Sequence, residues 1–376
     1  MKKLCSILMA LVMTLACAGV SVYAEESGKG YLVITDYISV NSGEDVSDEI
    51  QAVIDANPNR TIFFPDGEYL VSKPIYTPAE PKKSVSLEMT DFAVIKAVGD
   101  WKSGEAVIQL GGKFPANDTH TAGSNYSLEG GVIDGSGIAN GISINSGRET
   151  AVRDTSIKNT VVGIHIMYGA NSGSSDSDIT GVNIIGTGKT DSVGILLEGF
   201  DNTVTNVRIG NVFIGVQIKS AGNMLRNVHP LYYSDYTDYQ NSCGFLIETG
   251  NNWLDYCYSD QFANGFRFTS NGTSTLHDCF CYWYSAGDGT QTAIRADRQF
   301  DSFVTNFNAG FHGDAKNCYV LTVGELGGDG TIENLTANEN HVSDSVHKMY
   351  MEDANIFGKI IGFFSFVFSL ISNLIK

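Results

Sequence analysis

Charged side chains recur at one position of a short repeated motif. Counting four residues on from the glycine of each motif gives a column that includes Glu198, Lys219 and Glu248. Alternate side chains of an extended strand point to the same side, and stacked strands lie about 4.8 Å apart, so the two glutamates are expected about 9 to 10 Å apart. That separation is close to the upper limit for two carboxylates that act as general acid and base on a sugar bond.

Three interpretations of this column remain open. In the first, one glutamate is a general acid and the other activates water, while Arg267 and Arg295 hold the carboxylate of an acidic sugar. In the second, Lys219 or Arg267 removes a proton beside a uronate carboxylate, and Glu248 and Asp297 help to bind Ca²⁺. In the third, the charges form only a surface ladder of small energetic worth.

An aromatic segment precedes the motif of Gly244. Residues 229–242 read HPLYYSDYTDYQNS and are inserted relative to the repeat. Aromatic rings are flat and apolar with polar edges, which suits sugar rings, and loops on rigid scaffolds often carry function. We therefore expect substrate-binding roles for Tyr232, Tyr233, Tyr236 and, on the next coil, Trp253. Two aspartates of the loop, Asp235 and Asp238, are further catalytic candidates.

An internal repeat must position these residues. The motifs NGISI, VGIHI, VGILL, IGVQI, CGFLI and NGFRF place glycine at positions 141, 163, 194, 215, 244 and 265. Apolar residues stand one and three positions after each glycine, and this period of two predicts strands. Coils this short cannot return through a helix, so the repeat predicts a parallel β-helix in which each coil packs on its neighbours.

A second column of mostly polar residues marks the bends of the repeat. Asparagine tolerates left-handed backbone angles and bonds to neighbouring main chain, which suits tight turns. We expect these residues to form an internal ladder from coil to coil. The column consists of Asn159, Asn183, Asn206, Asn227, Tyr256, Asp278, Asn306 and Asn334.

Composition limits the classes of function. The net charge is −18 at pH 7, which disfavours nucleic acid as a partner. Residues 1–24 have two lysines, an apolar run and a small residue at Ala24, as in a bacterial secretory signal peptide. Five cysteines follow this segment without metal-binding spacing, so no zinc or other bound cofactor is predicted. Cys257 and Cys279 stand at equivalent positions of neighbouring coils and are expected to form a buried stack.

The N-terminal part of the mature chain departs from the repeat. In the stretch SDEIQAVIDANPNR, Ser47 is the expected N-cap of a helix whose face of Ile50, Val53 and Ile54 is apolar. Such a helix would cover the open end of the coil, whose exposed backbone otherwise invites edge pairing.

Residues 36–75, DYISVNSGEDVSDEIQAVIDANPNRTIFFPDGEYLVSKPI, resemble the N-terminal module of the pectate-lyase-like superfamily of β-helix proteins. That module has a helix, a strand, the motif F-P-x-G-x-Y and a second strand. The stretch GGVIDGSG at 130–137 and the repeats after it resemble glycoside hydrolases related to polygalacturonases. The resemblance covers roughly residues 31–340, and it implies an all-β, right-handed, single-stranded parallel β-helix with capping helices.

The chain departs from the polygalacturonase pattern at the residues that would do the chemistry. The family rung D-D-C-I-A-I-K-S-G falls on the segment that begins at Phe213 and Ile214, so both catalytic aspartates are replaced. The G-H-G rung falls on Ser242, Cys243 and Gly244, without a histidine. The resemblance therefore implies the scaffold and, of the conserved groups, only Lys219 and Arg267.

The C-terminal segment 350–376 changes character. Small and polar residues recur every three to four positions within an otherwise apolar, aromatic run. A 21-residue helix is about 31 Å long, enough to span a bilayer, but it can also lie at the membrane surface or self-associate. The alternative is a cap on the last coil of the β-helix domain at 31–345.

Together these patterns predict an extracellular, polysaccharide-active protein with membrane or cell-surface retention as an option. The expected partner is a plant or acidic glycan, and the activity is that of a glycoside hydrolase or a polysaccharide lyase. The alternative is a non-catalytic carbohydrate-binding or adhesin-like surface protein.

Overall fold

Three columns of short parallel strands wind around one continuous apolar core. The computed structural model describes residues 30–113, 127–169, 173–233, 238–284, 289–312, 317–325, 327–337 and 346–351. The signal peptide at 1–24 and residues 352–376 of the C-terminal segment lie outside the described residues. Each strand pairs in parallel with the equivalent strand of the next coil, so the chain forms the predicted right-handed parallel β-helix.

Sheet I contains the repeat motifs and has eleven strands within the described residues. Its register keeps equivalent positions side by side, with Ile195 opposite Val216 and Leu196 opposite Gln217. The strands are Ile75–Tyr76, Ala106–Leu110, Asn140–Ile144, Val162–Ile166, Val193–Leu197, Ile214–Ile218, Cys243–Ile247, Asn264–Phe268, Thr290–Ala296, Asn317–Val323 and Val346–Met351.

Sheets II and III follow sheet I in each coil. Sheet II is formed by Leu32–Val33, Arg60–Phe64, Val85–Met89, Ser127–Glu129, Ala151–Arg153, Asp178–Thr180, Trp253–Asp255, Thr275–His277, Phe303–Thr305 and Thr331–Glu333. Sheet III is formed by Gly67–Val71, Ala93–Ala97, Val132–Asp134, Ser156–Thr160, Asn183–Gly186, Tyr258–Asp260, Phe280–Trp283, Asn308–Phe311 and Thr336–Ala337. Two long strands, Thr203–Gly210 and Met224–Leu231, run through both sheets.

The alternation within the repeat is confirmed. Ile164, Ile195, Val216, Phe245 and Phe266, one position after the repeat glycines, are all buried in the core. Aromatic rings continue the same ladder from coil to coil, since Phe245 and Phe266 stack with ring centroids 4.7 Å apart. The positions two and four residues after the glycine face outward and form a surface on sheet I from the coil of Gly194 to that of Arg295, whereas Ser143, Asn145 and Met167 at these positions are buried.

Close packing explains the repeat glycine. A Cβ atom on Gly163 would lie 2.5 Å from the carbonyl oxygen of Gly194 and 2.6 Å from Cγ2 of the buried Ile184. Real side chains do not approach so closely, so the coils from Gly141 to Gly265 need glycine here, whereas Val107, Ala293 and Val320 occupy the position on the coils at either end. The number of residues between successive repeat glycines therefore reflects the number of residues in one coil.

The predicted asparagine column lies at the surface, so the expectation of an internal ladder is wrong for these residues. Asn206, Asn227 and Asn306 adopt left-handed backbone angles at the corner between sheets II and III. Their exposed amides bond from coil to coil, as from Nδ2 of Asn227 to Oδ1 of Asn206 at 2.9 Å. Asn159 belongs to another corner, and Asn183 lies within a strand.

A buried asparagine ladder occupies the turn between sheets I and II instead. Oδ1 of Asn223 accepts a hydrogen bond from Nδ2 of Asn202 at 3.0 Å, and its own amide donates to Oδ1 of Asn252 at 3.1 Å. Ser274 and Ser302 continue the column, because each hydroxyl accepts from the backbone N–H of the preceding rung. The ladder satisfies turn backbone that would otherwise be buried without partners.

The N-terminal helix covers the edge of sheet I, as predicted. It runs over Ser47–Ala56, and Ile50, Val53 and Ile54 face the core. Its N-cap residue is Val46, so the expectation that Ser47 is the cap is wrong by one residue. The side-chain amide of Gln51 donates to the backbone oxygen of Tyr76 and accepts from the backbone N–H of Tyr76, both at 3.0 Å. It therefore makes the two hydrogen bonds that a neighbouring strand would make.

Three short 3₁₀ helices complete the regular structure of the described residues. They are Ile34–Asp36, Pro81–Lys83 and Tyr239–Asn241. No helix in the described part of the chain has the length and apolarity needed to cross a bilayer.

The cysteines of the coil are buried thiols. Cys243, Cys257, Cys279, Cys281 and Cys318 are all buried and are the described cysteines of the coil. Cys257 and Cys279 lie in equivalent places on neighbouring coils, as the sequence predicts. Burial raises the pKa of the Cys243 thiol to about 12 and that of Cys279 well above its usual value.

Candidate functional site on the outer face of sheet I

The outer face of sheet I carries the charged column found in the sequence. Glu198, Lys219 and Glu248 each follow the last residue of a sheet I strand. Their backbone N–H groups donate to Ile166, Leu197 and Ile218 of the preceding coils at 2.9 Å, so the parallel ladder fixes their relative positions. The column therefore has the order predicted from the repeat, with Lys219 between the two glutamates.

Glu198 is held by partners on both oxygens of its carboxylate. Nε2 of His165 lies 2.8 Å from Oε2, and Nζ of Lys219 lies 3.1 Å from Oε1. The hydrogen bond from His165, with the charge and hydrogen bond of Lys219, outweighs burial and lowers the pKa of Glu198 to about 2. Glu198 is consequently an ionised carboxylate throughout the neutral and mildly acidic range.

Glu248 has a different environment two coils away. Nε2 of Gln217 donates to its Oε1 at 2.5 Å, and this partner carries no charge. The carboxyl is half-buried at the end of its strand. The partner of Glu248 is thus a neutral amide, whereas the carboxylate of Glu198 lies between two basic groups.

The arginines expected to hold a sugar carboxylate are bonded to Asp297. Nη2 of Arg267 lies 2.7 Å from Oδ2 of Asp297, and Nε of Arg295 lies 2.8 Å from Oδ1. Burial raises the pKa of Asp297, but the hydrogen bonds and charges of the two arginines more than offset it, and the pKa is lowered. Two guanidinium groups against one carboxylate leave this cluster with a net positive charge.

Basic and acidic side chains are equal in number among the candidate residues of this face, unlike those of the whole chain. Lys219, Arg267 and Arg295 stand beside Glu198, Glu248 and Asp297, whereas the protein has a net charge of −18. A neutral or acidic polymer can therefore approach this face with less repulsion than the surface in general.

Sequence reasoning missed His165 and Gln217 as partners of the glutamates. Both stand two residues after a repeat glycine, in the outward column next to the charged one. Each reaches diagonally to a glutamate on the following coil. The outward alternation was visible in the sequence, but the pairing across coils depends on side-chain reach and not on spacing alone.

The inserted loop joins sheet I at the edge opposite Glu248. Asp238 has a left-handed backbone, and its carboxylate accepts a hydrogen bond from Nδ2 of Asn241 at 2.7 Å. The strand Cys243–Ile247 separates the loop from Glu248, and five extended residues span about 16 Å. Asp238 and Glu248 are thus not brought together. Asp235 and Tyr236 lie outside the described residues.

The aromatic candidates occupy three different environments. Tyr232 is only 3% exposed and packs against Tyr239 and Phe262, so its ring offers no free face to a sugar, and the expected role is corrected. Tyr233 is half exposed beside Gly210. Trp253 lies on the outer side of sheet II, away from the glutamates.

Comparison with known proteins identifies the fold. No protein-family model matches the sequence, and no curated protein matches it by sequence similarity. Among solved structures, a tailspike protein of E. coli bacteriophage HK620 matches with a TM-score of 0.64 and 13% identity, over 89% of this chain and 66% of that chain. The endo-xylogalacturonan hydrolase of Aspergillus tubingensis matches with a TM-score of 0.59 and 14% identity, over 84% and 95% of the two chains.

A third match has a different named activity. The alginate lyase of Paenibacillus sp. str. FPU-7 gives a TM-score of 0.53 and 13% identity, over 82% of this chain and 97% of that chain. The chain shares the parallel β-helix fold of these proteins. At such low identities the likeness establishes the fold alone, and the chemistry must be argued from the residues of this β-helix.

Proposed function

We propose that this protein is an extracellular glycoside hydrolase that binds a polysaccharide across the outer face of sheet I. In this proposal Glu248 donates its proton to the leaving oxygen, and the ionised Glu198 accepts a proton from the water molecule that attacks the sugar carbon. The observation that carries the proposal is the contrast between the two glutamates, one held by basic partners and the other by a neutral amide.

The spacing of the glutamates is close to the upper limit for inversion of configuration. Two coils separate them, or about 9 to 10 Å along the helix axis. Carboxyl groups of inverting glycosidases are about 6.5 to 9.5 Å apart, which leaves room for a water molecule.

The ion pairs argue against the lyase interpretation. The lyase interpretation needs Lys219 or Arg267 as the base, whereas Nζ of Lys219 is paired with Glu198 and Arg267 with Asp297. Asp297 already has two guanidinium partners, which makes it a poor ligand for Ca²⁺. Hydrolysis is therefore the better supported reaction, and it needs no bound cation.

The class of substrate is supported by the net positive arginine cluster and by the fold neighbours. One neighbour is named as a xylogalacturonan hydrolase and another as an alginate lyase. A different tailspike structure of the same phage is described in complex with a hexasaccharide. We propose an acidic or plant-type glycan, with Arg267, Arg295 and Tyr233 as contacts.

A second candidate is binding without cleavage, as in an adhesin-like surface protein. It is favoured by Phe213 and Ile214, which occupy the positions where the resemblance puts catalytic aspartates and pack with the core. In that case the ion pairs of sheet I serve as a rigid, hydrogen-bonding platform. Surface retention through residues 352–376 belongs to this proposal.

Incubation with pectins, other uronans and neutral glycans, followed by assay of reducing ends, tests the hydrolase. We expect new reducing ends from at least one glycan, and a loss of more than a hundredfold in rate for Glu248→Gln. Glu129→Gln, an exposed change on sheet II, is the matched control and keeps full activity.

The products separate the alternatives. Unsaturated products in place of simple reducing ends would overturn hydrolysis in favour of a lyase. Retained binding with no product from any glycan would support the binding protein. Equal rates for Glu248→Gln and the parent chain would remove Glu248 from the mechanism.

A further inference from the structure

Sheet II has apolar side chains at one outward position on three of four consecutive coils. Met224, Trp253 and Phe303 stand in register, with Thr275 between the last two. The three apolar side chains are each about half exposed, and Trp253 is 48% exposed. The same position is threonine on the coils before and after, at Thr203 and Thr331.

The neighbouring outward column changes on the same coils. Thr180 and Thr205 form a hydroxyl ladder at 2.9 Å on the earlier coils. Arg226, Asp255 and His277 then replace it. Nε of Arg226 lies 3.3 Å from Oδ2 of Asp255, and Nδ1 of His277 lies 2.9 Å from Oδ1 of Asp255.

The corner column is interrupted at the same place. The exposed ladder links Asn227 to Asn206, and Asn306 to Asp278, through amide hydrogen bonds of 2.9 Å. Tyr256 stands between these two segments, and its ring is 59% exposed. The interruption coincides with a cleft of about 420 Å³ lined by residues that include Arg226, Asp255 and Tyr256.

Three adjoining columns thus depart from their repeat on the same coils. Coil stacking alone does not require such a change, because threonine and asparagine ladders satisfy these positions on other coils. Exposed aromatic groups that are clustered and rimmed by polar residues mark ligand or partner surfaces. The Trp253 patch is defined here as Met224, Arg226, Trp253, Asp255, Tyr256 and Phe303.

We propose that the Trp253 patch is a second glycan-binding site, specific for neutral sugar chains and separate from the sheet I face. Trp253 and Phe303 lie two coils apart, about 10 Å, and offer flat apolar faces to sugar rings along the helix axis. Arg226 and Asp255 supply a donor and an acceptor for ring hydroxyls at the adjacent cleft.

Charge selects a neutral chain over an acidic one. The cleft has one guanidinium group, Arg226, against the carboxylates of Asp255 and Asp278. An acidic polymer would meet these carboxylates, whereas hydroxyl groups can donate to them. Because this patch and the glutamates lie on different sheets, one protein can hold two chains or two segments of one chain, which raises avidity.

A divalent cation is the competing occupant of the cleft. Ligand atoms of Asp255, His277 and Asp278 lie within 4.8 Å of one another. The guanidinium group of Arg226 on Asp255 opposes a cation there. The exposed aromatic column would also be unexplained by a metal site, so sugar is the better supported ligand.

Tryptophan fluorescence gives a direct test because the chain has three tryptophans in distinct environments. Trp283 is fully buried, Trp101 is partly buried, and Trp253 is the most exposed. We would measure iodide quenching of the Glu248→Gln protein during titration with cellohexaose, xylohexaose, mannohexaose and a galacturonate oligomer. Use of this variant makes the result independent of cleavage.

We expect at least one neutral hexasaccharide to reduce the quenching constant of Trp253 about twofold, with little effect from the galacturonate oligomer. Tyr256→Ala should raise the oligosaccharide concentration that gives half of this protection at least tenfold. The melting temperature should stay unchanged, because the ring of Tyr256 is exposed. Phe303→Ala is a second variant with the same expectation. Trp253→Phe should remove the fluorescence change but retain binding in a pull-down on the corresponding insoluble glycan.

Other results would overturn the proposal. Protection by ZnCl₂ or CaCl₂ alone, abolished by a chelator, would make the cleft a cation site. Protection that depends only on protein concentration would make the patch a contact between copies of this chain. No protection by any neutral oligosaccharide would also refute it, whatever the activity of the sheet I face.

Discussion

Nε2 of His165 lies 2.8 Å from Oε2 of Glu198, which belongs to the next coil of sheet I. This contact joins two coils through side chains on the solvent side, while the core joins them on the other. It also sets the charge state of the residue around which the candidate site is built.

The contact predicts an acid-dependent loss of stability. The pKa of Glu198 is lowered to about 2 from an ordinary value near 4.5, so its contribution is complete above pH 4.5 and is lost as the pH falls towards 2. Because the carboxylate is partly exposed, we expect only about 1 kcal/mol. Melting temperatures of the parent chain and Glu198→Gln should differ at pH 7 and converge near pH 2. Glu333→Gln, an exposed control, should show no such convergence, and a constant difference for Glu198→Gln would contradict the assigned cause.

The two asparagine ladders predict opposite sensitivities. Asn223→Ala leaves the buried amide of Asn202 without its acceptor and should lower the free energy of unfolding by about 2 to 3 kcal/mol. Asn227→Ala removes an exposed bond only four residues away and should cost less than about 0.5 kcal/mol. Denaturant unfolding of both variants provides the comparison. Equal losses in the free energy of unfolding would mean that water does not replace the hydrogen bond of Asn227 at the exposed corner.

Replacement of a repeat glycine should disturb coil stacking. A methyl group at Gly163 meets the Gly194 carbonyl oxygen and Ile184, so Gly163→Ala should cost about 1 to 3 kcal/mol. Gly310→Ala is a milder control because its nearest neighbours are side-chain atoms of Tyr282 and His312, at 3.1 and 3.3 Å. A melting temperature for Gly163→Ala equal to that of the parent chain would show that the coils can move slightly apart without loss of stability.

The N-terminal helix is expected to protect the first strand of sheet I from hydrogen exchange. Gln51→Ala removes both hydrogen bonds to the backbone of Tyr76 at the first strand of sheet I. Hydrogen exchange at the Tyr76 amide should speed up at least tenfold, and light scattering should detect association through the freed edge. Glu49→Gln, an exposed change on the same helix, is the control. Unchanged exchange would indicate that the apolar face of the helix, and not Gln51, protects the strand.

The coil architecture was predictable because its cause is periodic. Glycine recurs where Gly163 and Gly194 stack, and apolar residues recur at inward positions. Both patterns are therefore visible in the sequence at regular spacing. The order of Glu198, Lys219 and Glu248 along the axis followed from the same spacing. Their partners did not, because the reach of His165 to the next coil depends on side-chain conformation.

The errors have a common physical origin. Asparagine at a corner and asparagine in a buried turn both favour bends, so composition does not distinguish the exposed column of Asn206 from the buried column of Asn202. The face on which Trp253 lies depends on which of three sheets its strand joins. Tyr232 is buried because the start of the inserted loop folds back onto Phe262, a contact between distant parts of the sequence.

The buried thiols determine how the protein can be made and stored. Since the five cysteines of the described coils are buried thiols, folding of these coils needs no thiol oxidant and no disulfide isomerase. Thiolate is the reactive form, and the raised pKa values of Cys243 and Cys279 keep it scarce, which slows oxidation and mixed disulfide formation. The β-helix should therefore reach its native state equally well in a reducing cytoplasm and in an oxidising exterior.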